Sequence, residues 1–205
     1  MSGTMPDQMS DPPAPSGATG AIASELLHAW REGRLERRQA VSVAGLSTAE
    51  AYDVQDQVVA ARIAAGERHA GYKVGCTSRA IRAQLGLDEP VFGHLLLPNV
   101  YSSGTRLPIS RFVGPAVEPE YAFRVERRLG GDGIGLEEVR HALSGPFPGI
   151  EVHNYHFFYG IPTSQELIAS NALHSAFVYA PIGNNDATPL PTPSELAKGE
   201  IELWV

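Results

Sequence analysis

Apolar residues recur along the chain with two periods. Ile22, Leu26, Leu27 and Trp30 fall at helical spacing and predict a helix over residues 21–32. Tyr52, Val58, Val59 and Ile63 supply the apolar character of a second helix that Gly66 ends. Its start is marked by Ser47 and Glu50, whose spacing lets each side chain satisfy an exposed backbone N–H. Both stripes read as core packing. A short strand follows at 72–74. A helix over 78–85 comes next, with Gly86 placed for its left-handed cap. Residues 90–115 are turn-rich with brief strands. Period two dominates 117–126, turning Val117, Tyr121, Phe123 and Val125 to one face and Glu118, Glu120, Ala122 and Arg124 to the other. Pro119 cannot donate to a ladder and marks an edge or bulged strand. A helix over 136–143, a rigid turn over 145–149 and a strand over 150–153 come next, with Glu151 and His153 opposite Ile150 and Val152. A loop or small helix covers 155–170, and strands are expected at 176–179 and 200–205. Residues 1–20, rich in Ser, Pro, Gly and Asp, read as a disordered tail, because they bury too little to offset the entropy of ordering.

Composition narrows the classes. The 205 residues, 43% hydrophobic and 19% charged, suit one domain with a core of its own. A formal charge of −7 argues against nucleic acid as the main partner, and the basic stretch at 34–38 reads as a solvated helix end or loop. No run reaches the ~18 apolar residues of a membrane span, and no secretory signal is visible, so a cytoplasmic protein with no membrane partner is expected. The single cysteine, Cys76, excludes a disulfide framework or thiolate zinc site. With no partner base at a recognisable spacing, it reads as a small packed residue. Ser78 reads as a helix N-cap.

Candidate chemistry gathers at two places. Glu118 and Glu120 share a strand face, close enough to hold one cation, although an E-x-E strand is also compatible with a wet surface. Glu151, on a second strand after GPFPG, adds a third carboxylate. Three carboxylates suit a hard divalent ion, magnesium or manganese rather than zinc. The second cluster is GYKVGCTS, residues 71–78, where Lys73 between two glycines either holds its ammonium over a pocket or is a surface lysine beside a turn. His153 shares the Glu151 face and is a candidate second-sphere or pocket residue. His156 and His174 are candidates to approach the same pocket. His28, His69, His94 and His141 read as surface or loop residues.

Four segments, in order, resemble one family. GYKVGCTSRAIRAQLGLDEPVFGHLL, AVEPEYAFRV, FPGIEVHNYHF and ASNALHSAFVYAP are similar to segments of the 2-oxopent-4-enoate hydratases and 4-oxalocrotonate decarboxylases, in the fumarylacetoacetate-hydrolase superfamily. The resemblance covers about residues 21–205. It implies an α+β fold, a mixed β-roll or sandwich. An N-terminal helical region would span 21–70 and a catalytic domain 71–205. It implies Mg²⁺ or Mn²⁺ on Glu118, Glu120 and Glu151, with Lys73 and Asp88 as catalytic residues. Thr77, Phe92, Gly93, His153, Ser170 and Asn171 would be substrate contacts, Phe92-Gly93 forming a turn in the substrate loop. Leu87 and Leu95 would be wall or core residues. The implied reaction is hydration of a 2-hydroxy-2,4-dienoate to a 4-hydroxy-2-oxo acid in aromatic-compound catabolism. Decarboxylation of 4-oxalocrotonate is the alternative, because the same ligands serve both.

Two departures from the family pattern follow. Ser170 stands where the family carries an acid, and family sequences continue past the equivalent of Val205 with a Gly-His-Pro segment. The fold is therefore expected to be incomplete at the C-terminus, exposing a sheet edge. A homo-oligomer covering apolar surface and a catalytically inactive homologue are both expectations of that reading. An acylpyruvate hydrolase is a third, disfavoured by the N-terminal helices and the lysine motif.

Overall fold

The computed structural model describes residues 17–32, 42–155, 157–180, 192–196 and 198–199. The tail expected at 1–20 lies largely outside the described residues, and the strand expected at 200–205 wholly so. The chain forms two compact units. One comprises Met1–Pro98 with His156–Leu173, the other Asn99–Tyr155 with His174–Val205.

The first unit is helical with a two-stranded sheet. Helix α1 spans Gly20–Glu32 and buries Gly20, Ala23, Leu26 and Ala29. The buried stripe is therefore offset from the expected one. Small alanines make the close approach, while Ile22, Leu27 and Trp30 are half-buried. Trp30 stacks on Phe157 with ring centroids 4.6 Å apart. Helix α2, Thr48–Ala64, starts at the Ser47/Glu50 capping box and buries Ala51, Val54, Gln55, Val58 and Val59, whereas Ile63 is exposed. Strand β1, His69–Gly75, is longer than expected and pairs antiparallel with β2, Val91–Leu96. Between them, α3 (Arg79–Leu85) has Ser78 as N-cap and Gly86 in the left-handed C-cap at φ 65.

Phe92 and Gly93 lie inside β2, opposite Val74 and Lys73, and so form a strand and not the expected turn. Gly93 has no side chain because Asn171 occupies that space: a Cβ there would sit 2.9 Å from Asn171 Oδ1 and 3.0 Å from its carbonyl oxygen. The closing helix of the first unit, α5 (Ser164–Ala169), packs on α2. The wholly buried Gln55 ties α5 to β2, its Nε2 donating to Ile168 O at 2.7 Å and Phe92 O at 3.1 Å.

The second unit is a four-stranded mixed sheet. β3 (Val100–Ser102), β4 (Pro115–Val125), β5 (Leu143–Asn154) and β6 (His174–Tyr179) lie in the order β3-β6-β5-β4, with β3 parallel to β6 and the other pairs antiparallel. Pro119 sits on β4, the edge strand of the sheet among the described residues, which suits its missing N–H. Helix α4, Leu136–Ala142, leads directly into β5. The turn expected at 145–149 is strand instead. Among the described residues, β5 over 143–148 pairs with β4 only, so Pro146 and Pro148 meet no described ladder on the other side. The face of β4 and β5 carrying Val117, Tyr121, Phe123, Val125 and Ile150 is more than a third exposed at each of these residues. No described helix is long and apolar enough to cross a membrane.

Candidate metal centre

Strand register builds the site. In the β4–β5 ladder Glu118 stands opposite Glu151, Glu120 opposite Gly149 and Ala116 opposite His153. Paired residues of an antiparallel ladder point to the same side. Both carboxylates of the first register pair therefore share a face with His153 and Glu120. Glu151 is buried at 2% exposure, whereas the Glu118 side chain is 53% exposed and keeps the cluster open to solvent.

Two imidazoles frame Glu151. His174 Nδ1 lies 2.7 Å from Glu151 Oε1, and His153 Nε2 lies 3.0 Å from Glu151 Oε2. A carboxylate oxygen only accepts, so the His174 ring N–H donates to Oε1. The His153 contact is one of ion-pair distance, to the buried Oε2. His153 Nδ1 is 3.7 Å from Glu118 Oε1. His174 reaches this face because the β5–β6 register shifts between Val152 and His153, bringing His174 opposite His153. Gly149 leaves space on the same face for the Phe177 ring, since a Cβ there would come within 2.6 Å of two ring carbons.

Ligand atoms of Glu118, Glu151 and His153 all lie within 4.8 Å of one another, the one such group of three among the described residues. Two carboxylates and an imidazole around a partly open position fit a hard or borderline divalent cation. The trio has His153 in the place expected for Glu120, which is half-buried at the next same-face position of β4.

The other expected site residues belong to the first unit. Lys73 is half-buried on β1, its Nζ lying 3.4 Å from where a Cβ on Gly75 would be. Thr77 is exposed, and its carbonyl accepts from Arg82 at 2.6 Å. Asp88 is exposed in the loop before β2. Ser170 is buried, with its hydroxyl donating to Leu167 O at 3.1 Å. Asn171, at φ 59, accepts from His94 N–H at 2.6 Å through Oδ1 and donates to His94 O at 2.9 Å through Nδ2. Cys76 adopts φ 56 in the turn after β1.

The sequence pattern puts His94 among surface or loop residues. It is instead half-buried, with Nδ1 3.0 Å from His69 Nε2 and Nε2 3.6 Å from Asp56 Oδ1. Burial, then the neighbouring His69, pushes its pKa down. His156 lies outside the described residues. Alternation already put His153 on the Glu151 face, but no local pattern announces His174, whose orientation follows from a bulge.

No protein-family model matches the chain. It is 35% identical over 134 residues to the 2-hydroxypent-2,4-dienoate hydratase of Pseudomonas putida, covering 65% of this chain and 60% of that protein. It is 33% identical over 132 residues to a Pseudomonas 4-oxalocrotonate decarboxylase, covering 63% and 50%. The chain thus spans about half to three-fifths of the length of these relatives. Among solved structures, the 4-oxalocrotonate decarboxylase of Pseudomonas putida G7, complexed with magnesium and adipate, superposes with a TM-score of 0.72 at 26% identity, over 78% of this chain and 60% of that one. In sequence this chain is similar to a 2-hydroxypent-2,4-dienoate hydratase and a 4-oxalocrotonate decarboxylase, and in its α+β fold it is similar to a solved 4-oxalocrotonate decarboxylase.

Proposed function

We propose that the chain acts as a divalent-cation-dependent lyase that hydrates a 2-hydroxy-2,4-dienoate. The observation that carries this reading is the buried Glu151 carboxylate standing in register with Glu118 across β4 and β5. Two directly opposed carboxylates repel, and a cation shared between them reverses the sign of that interaction. Glu118 and Glu151 are the proposed anchors, with Glu120 from the motif as a further carboxylate and Mg²⁺ or Mn²⁺ as the ion. When bound, such an ion supplies Lewis-acid stabilisation to a 2-oxo acid.

Hydration needs four proton movements. The dienol gains a proton at C5 and loses its enol proton, water adds its oxygen at C4 and gives up a proton, and C3 takes a proton, so the sum is one added water. Lys73 and Asp88 are the proposed acid–base residues, on the strength of their motif. Thr77, Phe92 and Gly93 are proposed contacts on the same ground. His174 and His153 hold the Glu151 carboxylate in place. Self-association belongs to this reading too, supported by the exposed face of Val117, Tyr121, Phe123, Val125 and Ile150.

The test is loss of ultraviolet absorbance by 2-hydroxypenta-2,4-dienoate with and without added Mg²⁺ or Mn²⁺, with the product identified by NMR. Cation-dependent formation of a single 4-hydroxy-2-oxo acid supports the reading. An ion-loaded, folded chain that leaves the dienoate unchanged refutes it. The structural match to a decarboxylase favours a second reading, in which 4-oxalocrotonate loses CO₂ at the same residues. Release of CO₂ from that acid, with no hydration of the dienoate, would select it.

A further inference from the structure

We infer that His153 gives this site a nitrogen donor, so that the chain holds its ion through Glu118, Glu151 and His153 and favours a manganese(II)- or iron(II)-like cation over magnesium. This rests on the metal reading above and specifies its donor set.

Four observations carry it. His153 is the third member of the group whose ligand atoms lie within 4.8 Å of one another. Its Nε2 lies 3.0 Å from Glu151 Oε2. Two ligands at right angles on an ion, each about 2.1 Å from it, are separated by about 3.0 Å, so the present spacing already suits two ligands of one ion. The ring is also confined. His153 is 8% exposed, and its register partner Ala116 puts only a methyl group on the face. Finally, His174 fixes Glu151 Oε1 at 2.7 Å and so leaves Oε2 directed at His153. A buried partner that orients a ligating carboxylate in this way is a usual companion of metal sites.

The chemistry of the donors then sets the ion. With its hydrogen on Nδ1, neutral His153 offers a lone pair at Nε2. Magnesium dehydrates reluctantly and takes oxygen, whereas manganese(II) and iron(II) accept imidazole beside carboxylate. An all-carboxylate set completed by Glu120 would show no nitrogen at all.

The test loads the full chain with Mn²⁺ alone and reads electron spin-echo modulation, in unlabelled protein and in protein labelled with ¹⁵N-histidine. The expected result is a histidine-nitrogen coupling that shifts on labelling and disappears in His153→Asn. That variant should lose about tenfold or more in Mn²⁺ affinity, since even outer partners of a metal site cost 10–100-fold when removed. Its Mg²⁺ affinity should stay within about threefold. Bound Mn²⁺ without nitrogen coupling overturns the inference and leaves the carboxylate reading standing. Coupling that persists in His153→Asn overturns the assignment to this residue. Failure of the wild-type chain to bind Mn²⁺ overturns both. Even if the variant does not fold, the wild-type spectrum decides whether a histidine nitrogen binds the ion, and its absence overturns the inference.

Discussion

Replacing Asn171 by alanine should destabilise the first unit by about 3 kcal/mol, and the sum can be worked from its contacts. The Asn171 side chain accepts from His94 N–H at 2.6 Å and donates to His94 O at 2.9 Å, so one amide satisfies both main-chain groups of a β2 residue. Leaving a buried main-chain group without a partner costs about 1–3 kcal/mol. His94 is half-buried, so water reaches part of what is vacated, which puts the two losses near the low end, about 2 kcal/mol together. Asn171 also sits at φ 59, where alanine is disfavoured by about 1 kcal/mol and glycine is not. Asn171→Gly should therefore cost less than Asn171→Ala by about that amount. A loss of about 3 kcal/mol corresponds to a fall of about 6–12 °C in Tm for a chain of this size. Urea and thermal unfolding of the three proteins provide the comparison. An alanine variant within about 0.5 kcal/mol of wild type would refute the bracing argument. If it also lost turnover, the side chain would be acting on substrate, as the motif alone suggested.

Other consequences are equally concrete. Gly149→Ala puts a Cβ within 2.6 Å of the Phe177 ring and should cost about 1–3 kcal/mol in urea unfolding, as overpacking does; Phe177→Leu in the same chain should recover part of it. The folded-state pKa of His94 lies below the ordinary 6.5, so the unfolded chain binds more protons just below that value. Stability contributed by neutral His94 is thus present above pH 6.5 and is lost as pH falls through 6.5 toward the folded pKa. Unfolding midpoints should drop on acidification from pH 7, and His94→Asn should flatten that slope. Lys73→Met should abolish turnover while leaving Mn²⁺ affinity unchanged; full activity in that variant would remove Lys73 from the chemistry.

Local pattern carried part of this architecture. Period two placed Glu118 and Glu120 on one face of β4 and Glu151 with His153 on one face of β5, and the Ser47/Glu50 and Ser78/Gly86 signals bounded their helices as expected. What local pattern lacks is register. That Glu118, and not Glu120, stands opposite Glu151 depends on how β4 and β5 align, and His174 turns toward Glu151 only through the shift beside His153. The prolines of GPFPG suggested a turn, because a proline ends a paired strand. They are accommodated where β5 has a neighbour on one side only among the described residues. Phe92-Gly93 suggested a turn for a similar reason. The glycine instead makes room for Asn171 against a strand, a contact 78 positions away in sequence that no window around Gly93 reveals. The α1 stripe was offset because alanines, which carry little weight in a hydrophobic pattern, make the closest packing.

Titration of the full chain with Mn²⁺, followed by calorimetry and by the loss of the free-ion resonance, tests the metal centre most directly. One ion per chain should bind to wild type, binding should fall at least about tenfold in Glu118→Gln, and it should be abolished in Glu151→Gln. Equal binding in wild type and Glu151→Gln, with both folded by circular dichroism, would contradict the account.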